Sequence, residues 1–302
     1  RDFCLSRGLG DVYKRQMNAE QNAQKYAIVT GAASGIGKEV ARQLADDGWH
    51  VAITDINADG LAQTAADIGE LAIDATPLDI SNHEAVERWA GGIVDKHGVP
   101  HSIYHVGGIS IWGNVATMPL EKWEMLIDVN LMGTIYIIRA FVPSMMEAGP
   151  LPGKEKRRLV CVSSSAGILG LPWHAAYSAS KGGVLAMLEV LRFDLAPFGI
   201  NVHAVAPGAV DTGLVRTIDI DGVDQSNPKV RRAKKLFQGH AISPAKCAQI
   251  IVKGVRKNKY LISTGGDVKL GRWAQVNAPF LYRLVLGGLN RGFQWIAKDA
   301  SV

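Results

Sequence analysis

The chain reads as an α/β protein built on a doubly wound parallel sheet of about seven strands, in a single domain. Three observations carry that reading. Short β-branched apolar runs alternate with longer runs of helical spacing. The first of those runs ends in a glycine-rich turn, and 47% of the 302 residues are apolar, enough for one large core. Strands separated by helices need right-handed crossovers, which pair the strands in parallel and cover both faces of the sheet.

The elements follow in order. Residues Arg1–Gln16 show neither helical nor strand periodicity and lack the apolar stretch of a secretory leader. They are expected to be a non-native tail, with the native start at Met17. The tail accounts for +2 of the formal charge of +5 and for Cys4, one of three cysteines. Ala27–Thr30 is the first strand, and Gly35–Asp47 a helix through Ile36, Val40 and Leu44. Val51–Thr54 is the second strand, then a helix over Ala58–Ile68 that Asn57 can cap. Ile73–Leu78 is the third strand; Ser81 and Glu84 form a capping box for a helix running to His97. Ser102–Val106 precedes one long helix over about Glu121–Glu147. Arg158–Ser163 and a helix over Trp173–Pro197 lead to the strand Asn201–Ala206. Ser243 at the cap and Pro244 at the first position open a helix to Asn258, and Tyr260–Ser263 is the last strand. The domain is thus expected over residues 17–268, with an apolar helical extension over 269–302.

Composition excludes several classes. Three cysteines without ligand-like spacing argue against a disulfide scaffold and a metal site, and fit a reducing, cytoplasmic compartment. The modest positive charge comes with no nucleic-acid motif. No uninterrupted run of 18 apolar residues is present, so no membrane-spanning helix is expected.

The turn Thr30–Gly37 joins a strand to a helix with Gly31, Ser34, Gly35, Ile36 and Gly37. Small residues there permit a sharp turn and close backbone approach to a pyrophosphate, and the helix N-terminus offers free N–H groups to the phosphates. Asp55 ends the second strand 18 residues after Gly37, where a carboxylate accepts hydrogen bonds from the adenosine ribose and repels a 2′-phosphate. No Arg or Lys flanks it, so NAD is expected, with NADP the alternative. Asp79, after the third strand, is placed to bond the adenine amino group or to cap the next helix.

Tyr177 and Lys181 lie four residues apart on one helical face. A lysine ammonium favours phenolate, so Tyr177 is expected to have a lowered pKa and to exchange a proton with a substrate oxygen. Ser164, 13 residues earlier at a strand end, can hold the same oxygen.

Together these motifs resemble the short-chain dehydrogenase/reductase family, in its compact single-domain branch, over about Lys25–Ser263. The resemblance implies a Rossmann fold, a nicotinamide cofactor and a catalytic set of Asn130, Ser164, Tyr177 and Lys181. Tyr177 is then the general acid/base, Ser164 positions the reacting oxygen, Lys181 binds the nicotinamide ribose, and Asn130 holds a water in the proton relay. Gly107 continues the cofactor path, and Pro207, Gly208, Val210 and Thr212 look like the segment beneath the nicotinamide. One departure stands out: where the family has Asn-Asn-Ala-Gly, this chain has His105-Val106-Gly107-Gly108. That puts in doubt the amide hydrogen bonds bracing the sheet, which His105 could replace. The family also implies a homodimer or homotetramer.

Substrate loops are expected at Ile109–Trp112, Ile168–His174 and after Thr212, with Gly213–His240 a mobile lid. The first two are apolar and suggest a hydrophobic alcohol or ketone, with His174 a candidate substrate contact. The basic runs Lys229–Lys235 and Lys253–Lys259 read as solvated helix faces, or as attraction to an anionic membrane surface or an acidic substrate. The extension from Leu270 holds Trp273, Phe280, Tyr282, Phe293 and Trp295, and suits a lid, a subunit interface or a membrane surface. The function expected is an oxidoreductase that interconverts a secondary alcohol and a ketone with NAD. The alternatives are a catalytically idle NAD-binding scaffold, and an epimerase or dehydratase on the same fold.

Overall fold

In the computed structural model, residues 25–153, 155–213, 219–232, 239 and 241–298 are described. The expected tail at 1–16 lies outside them, as do Lys234, Lys235 and parts of the expected lid.

A seven-stranded parallel sheet has the order β3-β2-β1-β4-β6-β7-β9. Its strands are β1 (Tyr26–Thr30), β2 (His50–Asp55), β3 (Ala72–Pro77), β4 (Ser102–His105), β6 (Arg157–Val162), β7 (Ile200–Ala206) and β9 (Leu261–Ser263). Helices α1 (Gly35–Asp46), α2 (Ala58–Ile68), α3 (His83–His97), α4 (Leu120–Ile127), α5 (Gly133–Glu147), α6 (Ala175–Asp194) and α7 (Pro244–Arg256) cover its two faces. Two apolar layers result. One packs Ile28, Ile103 and Leu159 against Trp89, Ile137, Phe141 and Leu188; the other packs Val29, Ile53 and Val160 against Val40, Leu44 and Ile251. Alternate side chains of each strand point to opposite faces, so a central parallel strand must be apolar on both. β1 is buried along its whole length for that reason.

The chain order reverses at β1, with β2 on one side and β4 on the other. Crossovers leave in opposite directions there and open a crevice at the carboxyl ends of the strands. Thr30 and His105 sit opposite each other at its floor.

Three local expectations change, and one small sheet is added. Ser81 and Glu84 form no capping box. Asn82 caps α3 by accepting from the Ala85 N–H at 3.0 Å, while the Ser81 N–H and hydroxyl donate to Asp79 at 2.9 and 2.7 Å. The short Asp79 side chain captures Ser81 within the turn, and the cap shifts one residue on. The long helix at 120–147 is interrupted by a π-helical turn over Asp128–Met132. The helix after β6 starts at Ala175 rather than Trp173, because Trp173 takes a left-handed backbone with φ 64°. A separate two-stranded parallel sheet joins β5 (Ile111–Trp112) to β8 (Asp219–Ile220), too short to leave a period in the sequence.

The segment Leu120–Glu147 is long and apolar enough by composition to cross a membrane, its most apolar 18-residue window having a mean hydropathy of 1.6. Interspersed Gly and polar residues hide this from a search for unbroken runs. Here it is a core helix, its Ile137, Phe141 and Met145 fully buried against the sheet. Beyond β9, helices α8 (Gly266–Asn277) and α9 (Pro279–Lys298) form the C-terminal extension.

Candidate active site

The predicted residues lie at or after the ends of β1, β2, β3, β4, β6 and β7, on the π-helical turn and on α6. Gly31 takes a left-handed backbone (φ +69°), and a Cβ there would lie 2.8 Å from Gly107 Cα. The turn and the segment after β4 therefore touch backbone to backbone, which only glycine allows. A Cβ on Gly35 would meet the Thr212 methyl at 3.1 Å, so the segment after β7 closes the same cradle. Ser34 caps α1 with backbone alone; its side chain is exposed and makes no capping bond. Ile36 joins the core beneath the turn. Asp55 is held at the rim, accepting the Ala33 N–H at 3.0 Å and the Asn57 N–H at 2.9 Å. Asp79 lies after β3, and its Oδ1 is engaged by Ser81. On the far side, the Pro207 carbonyl accepts the Ser165 N–H at 2.8 Å and the Gly208 N–H donates to Thr264 at 3.1 Å. Val210 bridges to Ile242.

The reactive groups meet at the ends of β4 and β6. The Ser164 side chain lies beside the Tyr177 phenol, close enough to lower its pKa, and its oxygen accepts the Ala166 N–H at 3.1 Å. Lys181 is buried and donates to the Val162 carbonyl at 3.1 Å. A Cβ on Gly108 would lie 2.8 Å from Asn130 Oδ1 and 2.9 Å from Lys181 Nζ, so a bare backbone separates the two. Asn130 lies on the π-helical turn. Its side chain accepts the Ile109 N–H at 2.9 Å and donates to the Ile109 carbonyl at 3.0 Å. One extra residue per turn re-aims a side chain, and such turns recur at functional sites.

Electrostatics depart from the sequence expectation. Burial raises the Tyr177 pKa above the usual phenol value, with Ser164 a smaller opposing effect. Lys181 itself is pushed down to about 8 by burial. The expected lowering of Tyr177 by Lys181 is absent, because the ammonium is turned to the Val162 carbonyl. Tyr177 thus rests as a neutral phenol, the form that can give a proton to a carbonyl oxygen.

His105 takes over sheet bracing. The Thr30 hydroxyl oxygen accepts the Val106 and Gly107 N–H groups at 3.1 and 3.2 Å and lies 2.9 Å from His105 Nδ1. Its own proton then goes to Nδ1, which assigns the imidazole proton to Nε2. Burial pushes His105 down to about 3, keeping it neutral. Sequence reasoning missed Thr30 and Ser180. The Ser180 hydroxyl accepts from Asn130 at 3.1 Å and donates to the Tyr177 carbonyl at 2.9 Å. A small polar residue between Tyr177 and Lys181 was the available signal.

Apolar side chains surround the phenol: Met118, Leu126 and Ala166, with Ile109, Ile111 and Leu171 against them. The His174 ring lies 4.2 Å from Trp112 and 6.3 Å from Tyr177. Its Nδ1 is 2.6 Å from the Pro172 carbonyl, and burial lowers it to about 4.

A profile of the short chain dehydrogenase family matches residues 25–221. The chain belongs to the short-chain dehydrogenase family. This is a family of oxidoreductases that use nicotinamide cofactors. SadH of Mycobacterium tuberculosis is 31% identical over 277 residues, covering 90% of this chain and 97% of that protein. A short-chain dehydrogenase from Streptomyces avermitilis superposes with a TM-score of 0.74 at 26% identity, over 89% of this chain and 99% of the other. The 3-ketoacyl-(acyl-carrier-protein) reductase of Brucella melitensis, solved with NADH, gives 0.67 at 26% identity, over 80% and 97%. The seven-stranded sheet and its flanking helices are those of a short-chain dehydrogenase.

Proposed function

We infer that this short-chain dehydrogenase interconverts a hydrophobic secondary alcohol and the corresponding ketone with NAD. The observation that carries the reading is Ser164 set beside the Tyr177 phenol in an apolar cluster, with Asn130 and Lys181 meeting across Gly108. The cradle fits a dinucleotide: backbone leaves no room for a side chain at Gly31 and Gly37, Gly35 takes a left-handed backbone, and an exposed Ser34 caps a helix N-terminus. A nicotinamide cofactor held there supplies or takes the hydride.

The chain's own groups do the rest. Ser164 holds the substrate oxygen, and Tyr177 gives it a proton in reduction or takes one in oxidation. Asn130 and Ser180 fix the back of the site through the bonds to Ile109 and to the Tyr177 carbonyl. Lys181 reaches the crevice as a cation with three donors, suited to ribose hydroxyls. Its value of about 8 places the loss of that charge just above neutrality. The apolar wall and the absence of cations among Met118, Leu126, Ile109, Ile111 and Leu171 favour a substrate without phosphate. The Brucella reductase was solved with NADH and the actinorhodin polyketide ketoreductase with NADPH, so the choice of NAD rests on Asp55.

NADH formation over a panel of hydrophobic secondary alcohols tests the reading, with turnover of at least one member expected. Tight NAD binding without any turnover would instead support the idle scaffold. Conversion of an alcohol without net NADH would support the epimerase or dehydratase. Asp55→Ala should shrink the preference for NADH over NADPH by about tenfold or more, since it removes both the ribose acceptor and the charge facing a 2′-phosphate. Wild-type turnover that is faster with NADPH would overturn the cofactor assignment.

A further inference from the structure

We propose that α8 and α9 dock this protein onto an anionic bilayer surface. The inward side of α9 is Tyr282, Leu286, Asn290 and Phe293, spaced three to four residues apart. Tyr282 accepts the Gly170 N–H at 2.9 Å, and Phe293 stacks on Trp173 with ring centroids 6.0 Å apart. On α8, Gly271 sits where a Cβ would lie 2.9 Å from Leu169. These contacts seat both helices on the loop that leads into the Tyr177 helix.

The opposite side of each helix is apolar and open. Leu281, Leu284, Val285 and Trp295 form the outward stripe of α9, with Leu284 55% and Trp295 60% exposed. Leu270, Trp273 and Val276 form that of α8, Val276 being 72% exposed. Outward apolar stripes on two successive helices exceed the scattered exposure normal for a soluble surface.

Charge decides the occupant. Pro279–Lys298 contains Arg283, Arg291 and Lys298 and no acid. At the α9 end of the face, Lys229 lies over the Trp295 ring at 4.0 Å. Arg231 and Arg232, two and three residues further along the chain, are exposed, with Arg231 in the field of Asp224. At the α8 end, a pocket is lined by Lys253, Lys257, Lys259 and Lys269, the last of them next to Leu270. A second copy of the chain meeting this face about a two-fold axis would set these cations against each other. An anionic membrane neutralises them while its acyl boundary takes up Trp, Leu and Val, the composition of an interfacial helix. Arg291 and Asn290 in mid-helix, and the inward bonds of Tyr282 and Phe293, keep α9 lying on the surface rather than across it.

Vesicle sedimentation of the full chain tests the proposal without relying on turnover, so its outcome is separate from that of the oxidoreductase reading. Vesicles of phosphatidylcholine alone are compared with vesicles containing about one third phosphatidylglycerol. The protein should pellet with the anionic vesicles, at least tenfold more than with the neutral ones, and release as salt rises. Leu284→Glu combined with Val276→Glu, and separately Arg283→Glu with Arg291→Glu, should each cut binding about tenfold or more while turnover of a soluble alcohol is unchanged. No pelleting, equal pelleting with neutral vesicles, or undiminished binding of both variants overturns it. A dimer in solution that the Leu284→Glu pair dissociates, with no vesicle binding, assigns the face to a second copy instead.

Discussion

Tyr177→Phe should lower turnover by about 10²–10⁴-fold, the usual contribution of a positioned general acid or base. The substitution removes one oxygen from a buried ring and leaves its packing against Ala166 and Ala176 in place. Folding and NAD affinity should therefore stay near wild type, the affinity within about twofold; fluorescence titration with NADH measures it separately from steady-state rates. The Ser164 hydroxyl would keep the Ala166 N–H as its donor. Turnover within a few fold of wild type would sink the proposed chemistry, whatever the substrate.

Acid should unfold this protein steeply, well before its carboxylates titrate. His101, His105 and His174 are all buried, and burial lowers them to about 4, 3 and 4. In the unfolded chain each titrates near 6.5. These are bases with depressed folded values, so between about pH 6.5 and pH 4 the unfolded state binds more protons and stability falls as pH falls. Three such groups give a slope approaching about 4 kcal/mol per pH unit, and a loss of about 6 kcal/mol at pH 5 relative to neutral. That is comparable to the whole stability of a typical domain. Urea unfolding at pH 7.5 and pH 5 measures it. Replacing His105 by Asn removes one of the three titrating groups, so the pH-dependent part of the loss should shrink by about 2 kcal/mol at pH 5, whatever the substitution costs at neutral pH. Equal midpoints at the two pH values would show that these imidazoles are accessible to protons in the folded state.

Much of the site was legible along the chain because its residues obey local rules. The glycine-rich turn, Asp55 at a strand end, and Tyr177 four residues before Lys181 need only strand and helix periodicity to be placed. The parallel sheet followed from the alternation of elements, since a crossover of helical length leaves no other pairing. Asn57 capping the second helix is likewise local, and its side chain accepts the Gly60 N–H at 3.1 Å.

What escaped the sequence depends on distance in space. The direction of the Tyr177 shift is set by burial and by where the Lys181 ammonium finds an acceptor; the spacing of the two says only that they share a face. The role of His105 needed the Thr30 hydroxyl, 75 residues away in the chain. The π-helical turn that presents Asn130 and the two-residue strands of the small sheet carry no periodic signal. The extension could be read as lid, interface or membrane surface because an apolar residue looks the same on either side of a helix. Packing turned Tyr282 and Phe293 inward, left Leu284 and Trp295 outside, and brought Lys229 from a separate segment onto the open face. Periodicity is a property of neighbours in the chain; burial and charge environment belong to neighbours in the fold.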